Sequence, residues 1–280
     1  MKIFNTQDDL KKYLADLPQN KKSIGFVPTM GALHQGHLSL ISQAKKENDL
    51  VICSIFVNPT QFNDAKDFEN YPHTHLADIK VLEDVHCDIL YLPNSVEDVY
   101  KNETGFSIDL GEISTVMEGA NRPGHFDGVV RVVKLLFEIT TPNKAYFGLK
   151  DFQQFAIIKK MVSELNLPIE IVGCPIIREE SGLAMSSRNA LLSKKEKEDA
   201  LILNETLRFL QKNIKLGDIS KLLEKGLKML AKKSKPEYLT IAETESLRVT
   251  THLKKGEKYR AFVVSKIGNV RLIDNMEIFI

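Results

Sequence analysis

Short apolar runs alternate with longer segments of helical period along the first 175 residues, and this alternation restricts the fold more than any other feature of the sequence. Several of the runs are continuously apolar, as strands that are buried on both faces must be. The candidate strands are residues 24–28, 50–57, 89–92, 145–147 and 169–174. The candidate helices are residues 36–48, 73–86, 126–140 and 151–166. The pattern predicts an α/β fold in which helices cover both faces of a parallel sheet.

The character of the sequence changes after about Cys174. Two charge-rich amphipathic segments predict helices, and two β-rich runs on either side of the sequence SKIGN predict a hairpin. The helical segments are residues 193–214 and 218–234, and the hairpin lies within residues 259–274. We therefore predict a Rossmann-like domain at residues 1–175 and a smaller α+β domain at residues 176–280, with a linker near residues 175–178 and an active site in the cleft between them.

Charge and cysteine content exclude several classes of partner. The 280 residues include 38 Lys and Arg against 37 Asp and Glu, so there is no general positive field for nucleic acid or an anionic membrane. No apolar run approaches membrane-spanning length, and the N-terminus lacks the apolar core of a signal peptide. Cys53, Cys87 and Cys174 lie in or beside apolar runs without a CxxC pair. We predict reduced thiols and a cytoplasmic protein that binds neither nucleic acid nor membrane.

The segment PTMGALHQGH, residues 28–37, follows the first candidate strand and opens the first long helix. Ligands of open parallel sheets bind at the carboxyl ends of strands, and a helix N-terminus offers unpaired N–H groups to phosphate. Gly31 and Gly36 allow close approach of the backbone. His34 and His37 are placed to donate hydrogen bonds to a triphosphate and to a departing pyrophosphate.

A structural role for His37 is the alternative. This residue shares helical spacing with Leu40, Ile41 and Ala44, as a hydrogen-bonded histidine at the edge of the core would. Two histidines that flank a glycine at a strand-to-helix turn favour the phosphate site. The segment is neither GxGxxG nor a P-loop, so a nucleotide would be held in a different way.

The HxGH element at residues 34–37 resembles that of the nucleotidyltransferase superfamily, and the residues around it are similar to the pantothenate synthetase (pantoate–β-alanine ligase) family. Four further segments resemble motifs of this family in the expected order. They are FVNPTQF at 56–62, NRPGHFDGV at 121–129, FGLKDFQQ at 147–154 and MSSRN at 185–189. The resemblance implies that ATP with Mg²⁺ activates pantoate to a pantoyl adenylate, which β-alanine converts to pantothenate. It also implies a homodimer.

Polar amides follow two of the predicted elements. Asn58 and Gln61 lie just past the second strand, where amides can bond a hydroxyl or carboxylate, although a Pro-stabilised turn also explains this segment. Gln154 lies at the top of a buried helix face. The resemblance assigns Gln61 and Gln154 to pantoate, and we expect Met30 to contribute mainly its backbone. The predicted substrate residues are therefore Gln61, Gln154, Met30 and Asn58.

Lys150 and Asp151 stand where the strand 145–147 gives way to a helix. Lys150 would meet negatively charged phosphate there, whereas a solvated surface lysine is the alternative. Asp151 is favoured by the helix dipole in any case, and it can also help to place Mg²⁺ through water. We predict a phosphate-binding role for Lys150 and a metal role for Asp151.

Ser186, Ser187 and Arg188 bring two hydroxyl groups and a guanidinium together within three residues. A flexible loop would carry them over the triphosphate after ATP has bound, and by resemblance this is the family's counterpart of the KMSKS loop. Capping of the following helix is the alternative. Arg122 is interpreted either as a surface arginine in a Pro-Gly turn or as a flap residue near the triphosphate or a partner subunit. His73 stands where the family usually has arginine, which places any role of that arginine in doubt.

The complete prediction is a set of catalytic residues within a larger nucleotide site. The catalytic residues are His37, His34, Lys150, Ser186, Ser187 and Arg188. The nucleotide-binding residues are Pro28, Thr29, Met30, Gly31, Ala32, Leu33, His34, Gln35, Gly36, His37, Gly148, Leu149, Lys150, Asp151, Ile177, Met185, Ser186, Ser187 and Arg188. Another HxGH nucleotidyltransferase and a non-catalytic nucleotide-binding module are the alternative functions.

Overall fold

Six parallel strands form the larger sheet of the computed structural model, which describes residues 1–17, 23–62, 68, 69 and 71–280. The strand order is β1-β4-β3-β2-β5-β6. The strands are β1 (Lys2–Phe4), β2 (Ile24–Thr29), β3 (Leu50–Ile55), β4 (Ile89–Tyr91), β5 (Lys144–Gly148) and β6 (Glu170–Cys174). The five predicted strands and the parallel sheet are confirmed. The edge strand β1 was not predicted, because three residues within a charged segment form no recognisable apolar run.

Helices join most of the strands, because parallel neighbours need crossover connections. They are α1 (Gln7–Ala15), α2 (Gln35–Glu47), α3 (His75–Asp84), α4 (Val96–Tyr100), α5 (Glu118–Asn121), α6 (His125–Thr140) and α7 (Phe152–Glu164). The four predicted helices correspond to α2, α3, α6 and α7. Helix α1, which was not predicted, begins after Thr6, whose side chain accepts a hydrogen bond from the N–H of Asp9.

Alternating residues of each strand bury opposite faces of the sheet. Phe26 and Ile52 pack in one apolar cluster with α1, α6 and α7. Val27 and Cys53, the next residues along the same strands, pack in another cluster with α2 and α3. Because both faces are covered, the strands read as continuously apolar in the sequence. The carboxyl ends of the central strands are thereby left as the place where a ligand can approach.

The chain after residue 175 adds two long helices and two small antiparallel sheets. Its elements are α8 (Lys194–Asn213), β7 (Gly217–Asp218), α9 (Ser220–Leu230), β8 (Lys235–Glu243), β9 (His252–Leu253), β10 (Tyr259–Ile267) and β11 (Val270–Ile278). Strands pair in the orders β11-β10-β8 and β7-β9. Ile267 pairs with Val270, so Gly268 and Asn269 form the turn and the predicted hairpin is confirmed.

The C-terminal part has an apolar cluster of its own and also packs against the sheet domain. Helices α8 and α9 cover one face of the three-stranded sheet. On the other face, the rings of Phe262 and Phe152 lie 6.0 Å apart within a mixed cluster. Glu118 of α5 forms a two-pronged ion pair with Arg271 of β11, at 2.7 and 2.8 Å. The division at residue 175 stays a prediction. None of the helices in the described ranges is long and apolar enough to cross a membrane.

Candidate functional site

A cavity of about 220 Å³ opens at the carboxyl ends of β2, β3 and β5. Most of the residues predicted from separate segments of the sequence line it together. These are Pro28, Thr29, Met30, His34, Gly36, His37, Gln61, Gly148, Lys150, Asp151, Gln154, Ile177, Met185, Ser186, Ser187 and Arg188. The remaining predicted residues, which do not belong to this lining, are Gly31, Ala32, Leu33, Gln35, Asn58 and Leu149.

A buried carboxylate of α3 binds the backbone of the loop between β2 and α2. Asp78 of α3 is 2% exposed and accepts the backbone N–H groups of Ala32 at 3.0 Å and Leu33 at 2.8 Å. Gly31 has a φ of +81°, and a Cβ there would lie 3.0 Å from Ile55 and 3.1 Å from the Asp78 carboxylate. The loop therefore needs glycine at this position. Sequence reasoning gave Asp78 no role, since a carboxylate that binds a distant backbone leaves no periodic pattern.

Backbone hydrogen bonds fix the tautomers of both histidines. The Nδ1 atom of His34 accepts the N–H of Gly36 at 3.1 Å, and the Nδ1 atom of His37 accepts the N–H of His34 at 3.3 Å. An accepting Nδ1 carries no proton, so each neutral ring carries its proton on Nε2. A Cβ at Gly36 would lie 2.8 Å from the His34 ring, which explains the glycine. The two rings lie 4.1 Å apart and expose Nε2–H donors rather than acceptors.

Both imidazoles are uncharged at neutral pH. Burial lowers the pKa of His34 to about 4, and nearby Lys150 acts in the same direction. Burial, followed by the neighbouring His34 and Lys150, lowers the pKa of His37 to about 3. His37 makes a hydrogen bond that caps α2, in agreement with the interpretation of a hydrogen-bonded histidine at the edge of the core, and it also lines the cavity, as the other interpretation held.

Asn58 lies behind the cavity wall and holds the turn that carries Gln61. It is 1% exposed, and its Oδ1 accepts the hydroxyl of Tyr100 at 2.9 Å and the N–H of Thr60 at 3.4 Å. Its amide also donates to the carbonyl of Gly128 at 3.3 Å. These bonds engage both ends of the side chain. Asn58 therefore supports the cavity wall from inside the protein.

His125 and Arg122 fix the backbone of Gln61. The Nδ1 atom of His125 lies 2.7 Å from the Gln61 carbonyl oxygen, and Nη1 of Arg122 lies 3.1 Å from Nε2 of His125. Because an arginine only donates, Nε2 accepts and Nδ1–H donates to Gln61. Burial and Arg122 lower the pKa of His125 to about 4. The Gln61 amide donates to the Met30 sulfur at 2.8 Å. Arg122 thus lies behind Gln61 and is not part of the cavity lining.

Cationic and hydroxyl groups form another part of the cavity wall. Lys150 lies in a short 3₁₀ turn after β5, with its ammonium 3.7 Å from the half-exposed carboxylate of Asp151. Ser186 caps a second 3₁₀ turn by accepting the N–H of Arg188 at 3.3 Å. The hydroxyl of Ser187 donates to the Ala32 carbonyl at 3.1 Å. The serine segment is therefore attached to the histidine loop. Ser186 caps only this turn, because the following helix α8 is capped by Ser193.

Part of the cavity wall is apolar, and sequence reasoning did not identify it. Val132, Val133 and Leu136 of α6 line the cavity together with Phe56. Their spacing is that of any helix face packed on a core, so the sequence does not distinguish a substrate wall from ordinary packing. Tyr71 also lines the cavity, and the guanidinium of Arg188 lies 5.9 Å from its ring. His73, by contrast, is exposed and lies outside the lining.

The lowered pKa values of three imidazoles predict that stability falls in mild acid. An unfolded histidine takes up a proton near pH 6.5, whereas folded His34, His37 and His125 stay neutral down to about pH 4 or lower. The unfolded chain therefore binds more protons between these values. Each imidazole should lower the free energy of unfolding by about 1 to 2 kcal/mol between pH 7 and pH 5. Urea denaturation at pH 7, 6 and 5 measures this change.

Variants assign the pH dependence to these residues. His125→Asn removes one of the three titrating groups and should flatten the decline in unfolding free energy. His252→Asn, at an exposed position, serves as the matched control and should leave the decline unchanged. A free energy of unfolding that stays constant from pH 7 to pH 5 would contradict the prediction.

Comparison with known proteins gives matches over nearly the whole chain. The family Pantoate-beta-alanine ligase matches residues 2–277. The pantothenate synthetase of Cytophaga hutchinsonii is 46% identical over 275 residues, which are 97% of each chain. That of Thermotoga petrophila is 44% identical over 280 residues, covering 98% of this chain and 99% of the relative.

Solved structures agree with these matches. The crystal structure of pantothenate synthetase from Thermus thermophilus has a TM-score of 0.89 at 37% identity and covers 100% of both chains. The pantoate-beta-alanine ligase of Francisella tularensis, described as complexed with beta-gamma ATP and beta-alanine, has a TM-score of 0.81 at 39% identity and covers 99% and 97% of the two chains. With four of the five sequence segments meeting in one cavity and matches of this extent, the chain belongs to the pantoate–β-alanine ligase family.

Proposed function

We propose that this chain condenses pantoate with β-alanine at the expense of ATP, through a pantoyl adenylate, and releases AMP and pyrophosphate. One observation carries the proposal. A single cavity holds the carboxamides of Gln61 and Gln154, the imidazoles of His34 and His37 and the ammonium of Lys150. Membership of the ligase family supports the same reaction.

Different groups of the cavity lining suit the two substrates of the first step. Pantoate carries hydroxyl groups, a carboxylate and two methyl groups. The amides of Gln61 and Gln154 can bond the polar groups without adding charge, and the wall of Val132, Val133 and Leu136 can accept the methyl groups. The triphosphate would lie toward the histidines, Lys150 and residues 186–188. The pantoate carboxylate and the α-phosphate would then meet between these groups.

The first step joins a pantoate carboxylate oxygen to the α-phosphorus of ATP. The bond from the α-phosphorus to the oxygen that bridges to the β-phosphate breaks, and pyrophosphate leaves with the electron pair. Lys150 would offset the charge around the α-phosphate, and the Nε2–H groups of His34 and His37 would donate to the departing oxygen. Arg188 and the hydroxyls of Ser186 and Ser187 would bind the pyrophosphate. Since both histidines are neutral, they act here as hydrogen-bond donors.

The second step transfers the pantoyl group to β-alanine. The amine nitrogen attacks the pantoyl carbonyl carbon and loses a proton, and the bond from that carbon to the AMP oxygen breaks. The protein need not form a covalent intermediate, because its contribution is to hold two anionic substrates in reacting positions. This account uses Met30 mainly for its backbone and for the contact of its sulfur with Gln61.

Magnesium would enter this site as part of the ATP substrate. In the part of the chain that the structure describes, there is no group of three histidine, cysteine or acidic side chains that could hold a metal. Mg²⁺ keeps several waters and needs only one or two carboxylates besides substrate phosphates. Asp151, half-exposed on the cavity, fits that requirement and would hold the ion through water.

We further propose a cytoplasmic homodimer that binds neither nucleic acid nor membrane. The near-balance of 38 basic and 37 acidic residues supports the last two statements. Cys53, Cys87 and Cys174 are free and buried, which suits a reducing compartment. The homodimer rests on the resemblance to the family, and light scattering of the purified protein tests it.

Omission of single substrates tests the proposed reaction. With ATP, Mg²⁺, pantoate and β-alanine together, AMP and pantothenate should form in equal amounts, and omission of any substrate should abolish pantothenate. Labelled pyrophosphate should exchange into ATP when pantoate is present, without β-alanine. Exchange that does not depend on pantoate would point to another nucleotidyltransferase. ATP binding without exchange would point to a non-catalytic module.

A further inference from the structure

Asn275 of β11 connects the C-terminal hairpin with the turn that carries Lys150. Its side chain is 2% exposed, and its amide nitrogen donates to the carbonyl of Leu149 at 2.9 Å and to that of Lys150 at 2.7 Å. Its Oδ1 accepts Arg260 at 2.7 Å. Because arginine only donates, the orientation of the Asn275 amide is fixed, with both N–H bonds directed to the turn.

The preceding residue, Asp274, holds a different wall of the cavity. It is 4% exposed and binds the guanidinium of Arg178 through two oxygens, at 2.7 and 2.9 Å. Arg178 belongs to a tight hairpin in which the N–H of Met185 donates to the carbonyl of Ile177 at 3.0 Å. Ile177 and Met185 both line the cavity. Two consecutive residues of β11 therefore bind the lysine turn and the hairpin that precedes the serine segment.

The lysine turn lies beyond the sheet that anchors β5. Gly148 is the last residue of β5 that pairs with β6, opposite Cys174. Lys150 lies two residues further, within a turn of only three residues. The Asn275 amide binds two consecutive carbonyls of this turn. Its position thereby sets where the Lys150 backbone, and hence its ammonium, lies relative to the cavity.

We propose that Asn275 is a positioning residue of the ATP site that acts through Lys150, and that Asp274 acts in the same way on residues 177–185. The inference rests on the proposed ligase function and extends it to a strand that contributes neither of these two residues to the cavity lining. A displacement of about 1 Å of a reacting group can cost about a hundredfold in rate. The C-terminal hairpin is thus part of the machinery of adenylate formation.

Asn275→Asp gives the sharpest test. It keeps the shape of the side chain and the acceptor for Arg260, but it replaces the donor to both carbonyls by an oxygen that repels them. We expect kcat/KM for ATP in pantoate-dependent pyrophosphate exchange to fall by about tenfold or more. The KM for pantoate should change less than about twofold, because the carbonyls that Asn275 binds belong to Leu149 and Lys150 and not to the residues proposed to bind pantoate. Asn213→Asp, at an exposed position near the end of α8, is the matched control and should behave as wild type.

A double-mutant cycle shows whether Asn275 acts through Lys150. In a Lys150→Ala background, Asn275→Asp should change the remaining exchange rate by less than about twofold. Equal losses in both backgrounds, or a parallel rise in the KM for pantoate, would assign Asn275 a merely structural role and overturn the proposal. Unaltered ATP dependence in Asn275→Asp would overturn it as well.

Two further outcomes separate folding and function from the inference. If Asn275→Asp does not fold, the same kinetic constants are measured for the uncharged Asn275→Ser variant. Failure of both variants to fold would overturn the positioning role. A wild-type protein that makes no pantothenate would instead refute the proposed function. If the wild-type protein makes pantothenate and Asn275→Asp has an unchanged kcat/KM for ATP, only the inference is refuted.

Discussion

Replacement of His37 by alanine is expected to lower pantoate-dependent ATP–pyrophosphate exchange by about a hundredfold or more. His37 lines the cavity, and its Nδ1 is occupied by the backbone of His34, so its Nε2–H is the group available to the departing oxygen. The protein should remain folded, because loss of one capping bond costs only about 1 kcal/mol. Exchange of labelled pyrophosphate measures the rate, and far-UV circular dichroism measures the fold.

A second variant separates capping from catalysis at this position. Asn in place of His37 keeps an oxygen that can accept the His34 N–H, but it lacks the Nε2–H donor. We expect His37→Asn to be more stable than His37→Ala but to have the same low rate of pyrophosphate exchange. His252→Ala, at an exposed position on β9, is the control. Near-normal exchange in His37→Ala would remove this residue from the mechanism, and full recovery in His37→Asn would reduce it to a helix cap.

Replacement of Lys150 by alanine should produce a loss of similar size, about a hundredfold or more in adenylate formation. Its ammonium lines the cavity with 19% of the side chain exposed, where charge on a phosphate is only partly screened by water. Stability should hardly change, because its Asp151 partner is 51% exposed and such pairs contribute about 0 to 1 kcal/mol. Single-turnover formation of pantoyl adenylate measures the effect.

The helix that follows the lysine turn offers a matched control for this substitution. Lys159 of α7 is exposed and lies outside the cavity lining, so Lys159→Ala should react at the wild-type rate. Lys150→Arg keeps the positive charge and should retain more activity than Lys150→Ala, although the fork of arginine does not reproduce the geometry of an ammonium. An alanine variant that forms adenylate at the wild-type rate would show that Lys150 is a solvated surface lysine after all.

Features with a period or a fixed spacing were predictable from the sequence. Strands β2 to β5 are mostly buried and appear as apolar runs because both faces of the sheet are covered, and the edge strand β6 is apolar although only partly buried. The two histidines and Lys150 were identifiable because polar residues follow those strands at positions where parallel sheets bind ligands. The hairpin of β10 and β11 was visible from its Gly-Asn turn.

Contacts between a side chain and a distant backbone were not predictable. Asp78, His125 and Asn275 each bind main-chain groups of a segment far away in the sequence. Such pairs leave no periodicity, and their existence depends on the packing of the finished fold. Asn58, by contrast, was predicted to contact substrate because it follows a strand, and its actual bonds depend on Tyr100 and Gly128, which no local pattern reveals.

The hydrogen bonds at the start of α2 have a consequence for the energetics of turnover. The ring protons of His34 and His37 are directed by the main chain rather than by solvent, so their orientation exists before any ligand arrives. In the proposed reaction these dipoles are preorganised, so little reorganisation energy is required as negative charge develops on the leaving oxygen. The first turn of α2 would therefore supply both its own N-terminal capping and an electrostatic environment fitted in advance to the proposed transition state.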